Sequence, residues 1–204
     1  MKTCVIQQRS KQSVNKTKQS LKTGGVIAFA TDTVYGLGCL VTQPEAIARI
    51  YQIKERDQLK AIPVLIGETD QLSSITATIP PSAQKLISQF WPGALTVILK
   101  KDAGLPQELT IYDTVGVRMP DHDWLRHLII DCGPMAVTSA NISGEASLST
   151  ADAVYTSLSG KIDLLVDGGT CDGGVPSTVV DCTSEPIKIL RDGAIPADVL
   201  QSNT

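Results

Sequence analysis

Short apolar runs that alternate with segments of helical periodicity are the feature that most constrains the fold of this chain. Runs of strand length occur at residues 26–30, 61–66, 94–99, 115–119 and 135–138. Apolar residues at helical spacing between these runs predict helices at residues 44–53, 81–90 and 121–130. An alternation of this kind is typical of an α/β or α+β domain.

The C-terminal part departs from that alternation, because its predicted strands follow one another at hairpin-length distances. They lie at residues 164–166, 178–181 and 187–190, and further helices are predicted over 10–23, over 150–158 and from Pro196 onward. This crowding favours a mixed sheet over a purely parallel one. We therefore expect one α/β (α+β) domain over residues 1–204, with a core at about residues 14–200 and a basic N-terminal arm or helix at 1–23.

Composition excludes several classes of protein. Hydrophobic residues make up 42% and charged residues 19% of the chain, values that are ordinary for a soluble globular protein. No apolar run has the length of a membrane span, and the first residues lack the apolar core of a secretory signal. The five cysteines stand singly and there are only two histidines, which argues against a disulfide framework and a structural zinc site. We expect a cytoplasmic protein with no membrane partner.

Positive charge is concentrated at the N-terminus. Residues 1–22 hold six of the 18 basic residues and none of the 21 acidic residues. A solvated helix face explains this arrangement best, and an arm that contacts RNA or a transit peptide are the alternatives.

Polar side chains follow the predicted strand at 135–138. Residues 134–144 read PMAVTSANISG, so Ser139 and Asn141 come where an apolar run meets a glycine-marked turn. Such groups either bind a ligand or satisfy only the local backbone. The glycine-rich segment TDTVYGLG at 31–38 also follows a buried strand, but it matches neither a Walker loop nor the G-x-G-x-x-G motif.

Cationic side chains stand at the ends of other predicted elements. Lys54, Arg56 and Lys60 follow the last apolar position of a helix, and they can converge only on an irregular loop. There they would suit a polyphosphate, and otherwise they interact with the helix dipole. Arg118 and Arg191 end strands, where a buried arginine requires either a structural acid or a ligand carboxylate or phosphate.

Taken together, these segments resemble the YrdC-like family of threonylcarbamoyl-AMP synthases. The matching stretches occur in the same order along the chain: TDTVYGLG (31–38), KERDQLKAIPVLI (54–66), FWPGALTVIL (90–99), VGVRMPDH (115–122), TSANISG (138–144), DGG (167–169), STVVD (177–181) and ILRDGAI (189–195). The resemblance implies the single-domain form of the family, a twisted mixed parallel and antiparallel sheet with flanking helices around a large concave cleft.

The resemblance also implies a reaction and its substrates. Members of the family join L-threonine, hydrogencarbonate and ATP into threonylcarbamoyl-adenylate plus diphosphate, and a downstream threonylcarbamoyl transferase complex uses the product to modify tRNA. By position, the family's threonine contacts fall on Thr33, Arg118, Ser139 and Ser177. Its ATP contacts fall on Arg56, Lys60, Thr114, Asn141, Ser149 and Arg191. Lys54 and Arg56 are the implied catalytic residues, and Mg²⁺ is expected to be carried by ATP, with no metal site on the protein.

Two positions depart from the family pattern. This chain has Lys60-Ala61-Ile62 where many members have Lys-Pro-Leu or Asn-Pro-Leu after the basic loop, and it has Leu65 where some members have a threonine-contacting histidine. We therefore leave Leu65 out of the predicted site. Two other functions compete with the synthase: a module that binds double-stranded RNA or tRNA through Lys54, Arg56, Lys60 and the N-terminal lysines, and a carbamoyl-transfer domain of a larger maturation factor. The net negative charge and the Ser-Ala-Asn signature at 139–141 favour the synthase.

Overall fold

The predicted mixed sheet is present. A computed structural model describes residues 2–201, and in that range ten strands form one sheet. The strands are β1 (Cys4–Gln7), β2 (Ile27–Phe29), β3 (Gly36–Leu40), β4 (Val64–Leu65), β5 (Leu95–Lys100), β6 (Thr114–Arg118), β7 (Met135–Ser139), β8 (Leu164–Asp167), β9 (Thr178–Asp181) and β10 (Lys188–Arg191).

The strand order across the sheet is β1-β8-β2-β3-β7-β4-β6-β5-β9-β10. Parallel pairing joins β1 to β8, β8 to β2, β4 to β6 and β5 to β9. Antiparallel pairing joins β2 to β3, β3 to β7, β7 to β4, β6 to β5 and β9 to β10. The sheet is therefore mixed along its whole width, as the hairpin-length connections predicted.

Helices cover both faces of this sheet. They are α1 (Ser13–Lys22), α2 (Pro44–Lys54), α3 (Pro81–Phe90), α4 (Asp123–Cys132), α5 (Ala151–Leu158) and α6 (Ala197–Gln201). Proline in the first turn favours the starts of α2 and α3. The side chains of His122 and Thr150 accept backbone N–H bonds at the starts of α4 and α5. No helix in residues 2–201 combines the length and the apolar composition needed to cross a bilayer.

Alternation along the central strands divides the core into two layers. In β2, Ala28 faces the cluster that contains the inward side of α2, whereas Ile27 and Phe29 face the cluster that contains α4. Strands that are buried on both faces read as continuous apolar runs, because neither set of side chains is exposed to water. This explains why the central strands were recognisable from sequence.

Two strands were missed. In β1, Ile6 is the only buried residue, so the apolar signal is weak, and part of the predicted N-terminal arm is instead an edge strand. The segment Gly36–Leu40 was interpreted as the end of a glycine-rich turn, but it forms β3 between β2 and β7. A Cβ on Gly38 would lie 2.8 Å from the carbonyl oxygen of Ala136, so this glycine permits close strand packing rather than a turn.

Candidate active site

The polar strand ends meet at one cavity of about 170 Å³. The register of the sheet explains this convergence. Gly36 at the start of β3 pairs with Ser139 at the end of β7, and Leu65 pairs with Arg118 where β4 and β6 end. Side chains that are distant in sequence therefore share one edge of the sheet, where a rigid scaffold can present them to a ligand.

Hydroxyl groups and apolar side chains both line the cavity. The hydroxyl groups include those of Thr31, Thr33, Thr96, Thr138, Ser139, Ser147 and Ser177. The apolar side chains include those of Val34, Pro63, Leu65, Val137 and Pro176. Small-molecule sites combine apolar side chains with polar groups that fix the orientation of the ligand, and polar groups are unusually numerous here.

Three arginines give the cavity its charge. Arg56, Arg118 and Arg191 all line it, and none of the lining residues in the described part of the chain is acidic. Burial lowers the pKa of Arg191, and the nearby Arg118 and Arg56 lower it further, because cations at close range repel one another. Guanidinium groups gathered in this way form a site for phosphate or carboxylate groups.

Arg118 is held by a structural acid. Its Nη2 donates to Asp32 Oδ1 at 2.6 Å, its Nη1 donates to Thr33 Oγ1 at 3.1 Å, and its Nε donates to the Gly93 carbonyl at 2.9 Å. Burial lowers the pKa of Arg118, and the Asp32 carboxylate opposes that change. Because a guanidinium has five N–H donors, Arg118 keeps donors for a ligand carboxylate while these contacts fix its orientation.

Arg56 reaches the cavity because helix α2 ends abruptly. Glu55 follows the helix in the left-handed conformation, with φ of 52°, which turns the chain away from the helix axis. The Arg56 guanidinium then donates to the carbonyl oxygens of Lys60 and Ala61, at 2.7 Å and 3.0 Å. The irregular loop expected for this segment is therefore present, and the Ala61 departure contributes a carbonyl that any residue type would supply.

Arg191, the last residue of β10, is hydrogen-bonded to Ser177, the residue just before β9. Arg191 Nη2 donates to the Ser177 carbonyl at 2.7 Å and to its hydroxyl at 3.1 Å. The Ser177 and Thr96 hydroxyl oxygens lie 2.8 Å apart, within hydrogen-bonding distance. These contacts fix the Ser177 hydroxyl just before the start of β9, beside the Arg191 guanidinium.

The structure brings six of the predicted site residues into the cavity lining: Thr33, Arg56, Arg118, Ser139, Ser177 and Arg191. Asn141 is buried just beyond Ser139, and its Oδ1 atom has no hydrogen-bond partner in the described part of the chain. A buried amide oxygen of this kind normally has a partner, so a ligand donor suits it.

The remaining predicted site residues do not line the cavity. Lys54 is 1% exposed and bonds to backbone carbonyls, whereas Lys60 is exposed at the end of the loop that Arg56 begins. Ser149 is half-buried, and its carbonyl accepts from the Cys171 amide. Thr114 begins the strand that Arg118 ends, about 13 Å away at the usual rise of a strand. The contacts of these residues with ATP stay predictions.

Several lining residues were missed by the sequence-based prediction. Thr31 lies in the segment TDTVYGLG but was given no role there, and Ser147 lies outside the quoted motifs. Thr96 lies inside an apolar strand that gave no reason to single it out. Leu65, which was left out, is 5% exposed and is one of the apolar lining residues. Asp32 had a usable signal, since it lies in the turn after a buried strand and next to the predicted Thr33.

This fold and cavity define an α/β protein with a cationic, hydroxyl-lined cavity at the meeting point of strand ends. A family model for the Sua5, YciO and YrdC proteins, described as "Telomere recombination", matches residues 19–193. The chain belongs to this Sua5/YciO/YrdC family. The resemblance seen in the sequence motifs is thereby confirmed.

Named relatives support this assignment. The chain is 40% identical over 185 residues to the threonylcarbamoyl-AMP synthase of Bacillus subtilis, an alignment that covers 89% of this chain and 54% of the relative. It is similar to the crystal structure of Pyrococcus abyssi Sua5 complexed with L-threonine, with a TM-score of 0.93, 35% identity, and coverage of 99% of this chain and 60% of the other. It also matches the crystal structure of Escherichia coli YciO, with a TM-score of 0.83, 27% identity and coverage of 94% of each chain. The chain thus spans about half the length of the Bacillus relative.

Proposed function

We propose that this chain is a threonylcarbamoyl-AMP synthase, which joins L-threonine, hydrogencarbonate and ATP into threonylcarbamoyl-adenylate and diphosphate. The observation that carries the proposal is the convergence of Arg56, Arg118 and Arg191 on one hydroxyl-lined cavity without a lining carboxylate. An amino acid carboxylate and a triphosphate together supply the anionic groups that such a cavity accepts. The name of the Bacillus relative agrees with this substrate set.

Arg118 is the natural partner of the amino acid carboxylate. Its guanidinium is fixed by Asp32, Thr33 and Gly93, so its remaining donors need little reorganisation when the ligand binds. The hydroxyls of Ser139 and Ser177 line the same cavity and would contact the rest of the amino acid. The Pyrococcus Sua5 structure with L-threonine supports an amino acid of this size as the ligand.

Arg56 and Arg191 would bind the phosphates of ATP. Both line the cavity, and Arg191 lies close enough to Arg118 and Arg56 for their charges to lower its pKa. Lys60, Thr114, Asn141 and Ser149 are the further ATP contacts of the proposal. The unpartnered Oδ1 of Asn141 would accept a hydrogen bond from the nucleotide.

Mg²⁺ in this proposal is carried by the nucleotide. Residues 2–201 contain no cluster of three or more histidine, cysteine or acidic side chains that would hold a metal ion. Asp32, which lies between the lining residues Thr31 and Thr33 in sequence, already pairs with Arg118. Magnesium commonly keeps phosphate oxygens and waters as ligands, which fits a site that offers cations rather than carboxylates.

The proposed chemistry needs alignment and charge neutralisation rather than a protein nucleophile. The neutral amine of threonine forms a bond to the carbon of hydrogencarbonate, a C–O bond of hydrogencarbonate breaks and water leaves, which gives a carbamate. A carbamate oxygen then forms a bond to the α-phosphorus while the bond to diphosphate breaks. Arg118 would hold the amino acid in place, and Arg56 and Arg191 would stabilise charge on the phosphates and on the departing diphosphate.

An omission experiment tests the proposed reaction. We expect the purified protein to release diphosphate only when threonine, ATP and hydrogencarbonate are all present, with the acyl-adenylate detected by mass spectrometry. ATP turnover that is unchanged when threonine is left out would contradict the proposal. Turnover with another amino acid in place of threonine would retain the reaction class and change the substrate.

A module that binds RNA through the basic loop is not favoured. That interpretation depends on exposed cations, but Lys54 is 1% exposed and Arg56 lines the cavity.

The proposal also includes the compartment in which the reaction takes place and the enzyme that uses its product. The five free thiols fit a reducing compartment such as the cytoplasm, and a reactive mixed anhydride requires a downstream threonylcarbamoyl transferase.

Gly193→Ala is expected to reduce kcat/KM by about 100-fold, the loss that follows a misplacement of about 1 Å. An added Cβ would lie 2.4 Å from the Ser177 carbonyl carbon and the Thr178 amide nitrogen, so the backbone must shift where Arg191 meets Ser177. Steady-state diphosphate release measures the effect. Gly104→Ala is the matched control, because its added Cβ would approach only the flexible side chain of Asp102, at 3.1 Å. Equal rates for the two variants would contradict the proposed role of this contact.

A further inference from the structure

Lys54 is buried at the end of helix α2 and faces backbone rather than the cavity. Its Nζ donates to the Ser139 carbonyl at 2.5 Å and also to the Asn141 carbonyl. In the opposite direction, the Ser143 amide donates to the Lys54 carbonyl at 2.8 Å. Three hydrogen bonds therefore tie the last residue of α2 to the segment 139–143, which we call the polar loop.

The environment of this ammonium group is costly for a lysine. Within residues 2–201 Lys54 forms no ion pair, and its side chain is almost completely removed from water. Burial, and to a smaller extent the nearby Arg56, lowers the pKa of Lys54 to about 8. A buried cation is tolerated only when its donors are satisfied, and here backbone carbonyls of the polar loop satisfy them.

The polar loop carries two groups that the proposed reaction needs. The Ser139 hydroxyl lines the cavity, and Asn141 is buried beside it with an unpartnered Oδ1. Apart from Lys54, the loop is anchored at its start, where Ser139 pairs with Gly36 of β3 and the Ala140 amide donates to the Tyr35 carbonyl at 2.8 Å. Removing the Lys54 donors would take away the side-chain donor to the Ser139 and Asn141 carbonyls and would loosen the loop on the side away from the cavity.

We infer that Lys54 is a positioning residue, which holds Ser139 and Asn141 in place from behind the cavity and does not itself contact the phosphates. The kinetic part of this inference rests on the proposed synthase function, whereas the structural part does not. In the proposed function Ser139 contacts threonine and Asn141 contacts ATP. Loss of the Lys54 hydrogen bonds is therefore expected to affect the binding of both substrates. A direct phosphate contact would instead affect ATP alone.

Hydrogen exchange without substrates tests the structural part. In Lys54→Met we expect the amides of Ala140, Ser143 and Glu145 to exchange at least about tenfold faster than in the wild type, while strand β5 keeps its protection. Arg56→Ala is the matched control, since its side chain contacts Lys60 and Ala61 and leaves the polar loop unchanged. Equal exchange at all three amides in Lys54→Met and the wild type would overturn the inference.

Two further variants keep the test decisive. Should Lys54→Met fail to fold, Lys54→Gln retains an uncharged amide NH2 group on a shorter side chain, and we expect intermediate exchange at the same amides. Lys54→Arg retains charge and donors, and we expect it to restore protection.

In the kinetic assay, KM for threonine and KM for ATP should both rise about tenfold in Lys54→Gln, whereas a rise for ATP alone would overturn the inference. Absence of synthase activity in the wild type would refute the proposed function and leave the exchange result intact.

Discussion

Arg56→Ala is expected to lower the rate of adenylate formation by about 100- to 1000-fold, the range seen when a fixed donor to developing charge is removed. Arg56 is one of the three guanidinium groups that line the cavity, and it is the one that the loop after α2 directs there. Its loss removes positive charge from the site proposed for the phosphates. Burial already lowers the pKa of this group, which shows that its charge is only partly screened by water.

The measurement is diphosphate release at saturating threonine and hydrogencarbonate. Arg56 also bonds to the Lys60 and Ala61 carbonyls, so we expect a loss of unfolding free energy of no more than about 2 kcal/mol. Arg9→Ala is the matched control, because Arg9 is exposed and does not line the cavity. A rate equal to that of Arg9→Ala would refute the phosphate role of Arg56.

Asp32→Ala is expected to reduce the free energy of unfolding by about 3 kcal/mol or more, the usual cost of breaking a buried ion pair by removing one partner. The side chains of Arg118 and Asp32 are only 8% and 14% exposed, and their closest nitrogen and oxygen atoms are 2.6 Å apart. The alanine variant would leave the Arg118 cation buried without its acid. Equilibrium unfolding in urea measures the change.

Two comparisons separate this effect from a general surface effect. Asp131→Ala removes the acid of an ion pair at the surface, in which the side chain of Lys18 is 29% exposed and that of Asp131 is 50% exposed. We expect a much smaller change in the free energy of unfolding for this variant. In the double variant Asp32→Ala and Arg118→Met the buried guanidinium is removed together with its acid, so we expect stability to recover in part. A double variant that is less stable than Asp32→Ala alone would show that the unpaired cation is not the cause.

The pairing of Arg118 with Asp32 also bears on substrate binding. The acid fixes the guanidinium and offsets part of its charge before any ligand arrives, while Thr33 and Gly93 hold two further donors. A preorganised cation of this kind costs little to align with a carboxylate. The proposed threonine site is therefore built by the turn after β2 as much as by Arg118 itself.

Several of the strands recognised from sequence are buried on both faces. The apolar run at residues 135–138 lies in β7, and the run at residues 94–99 overlaps β5. A short continuous apolar run of this kind is typical of a buried strand. β1 contributes one buried side chain and β3 contains two glycines, so neither carries that signal. Their strand character comes from pairing with β8 and β7, which is a long-range property.

In the candidate site, too, some features could be predicted from local sequence and others depend on the tertiary structure. Lys54 and Arg56 are two residues apart and were predicted to act together, but the left-handed turn at Glu55 sends one into the backbone network and the other into the cavity. Thr114 and Arg118 share a strand and lie at its opposite ends. Sequence spacing could not separate these cases, because it does not report which way a side chain points after a turn.

The amino-acid sequence by itself determined the class of fold, the approximate bounds of most helices and strands, and the family, because burial periodicity and colinear motifs are local patterns. Only the tertiary structure decided which of the motif residues share the cavity, that Asp32 is the partner of Arg118, and that Leu65 and Thr96 belong to the lining. The physical reason is strand register. It brings residues tens of positions apart to one sheet edge, and no local pattern of residues encodes that proximity.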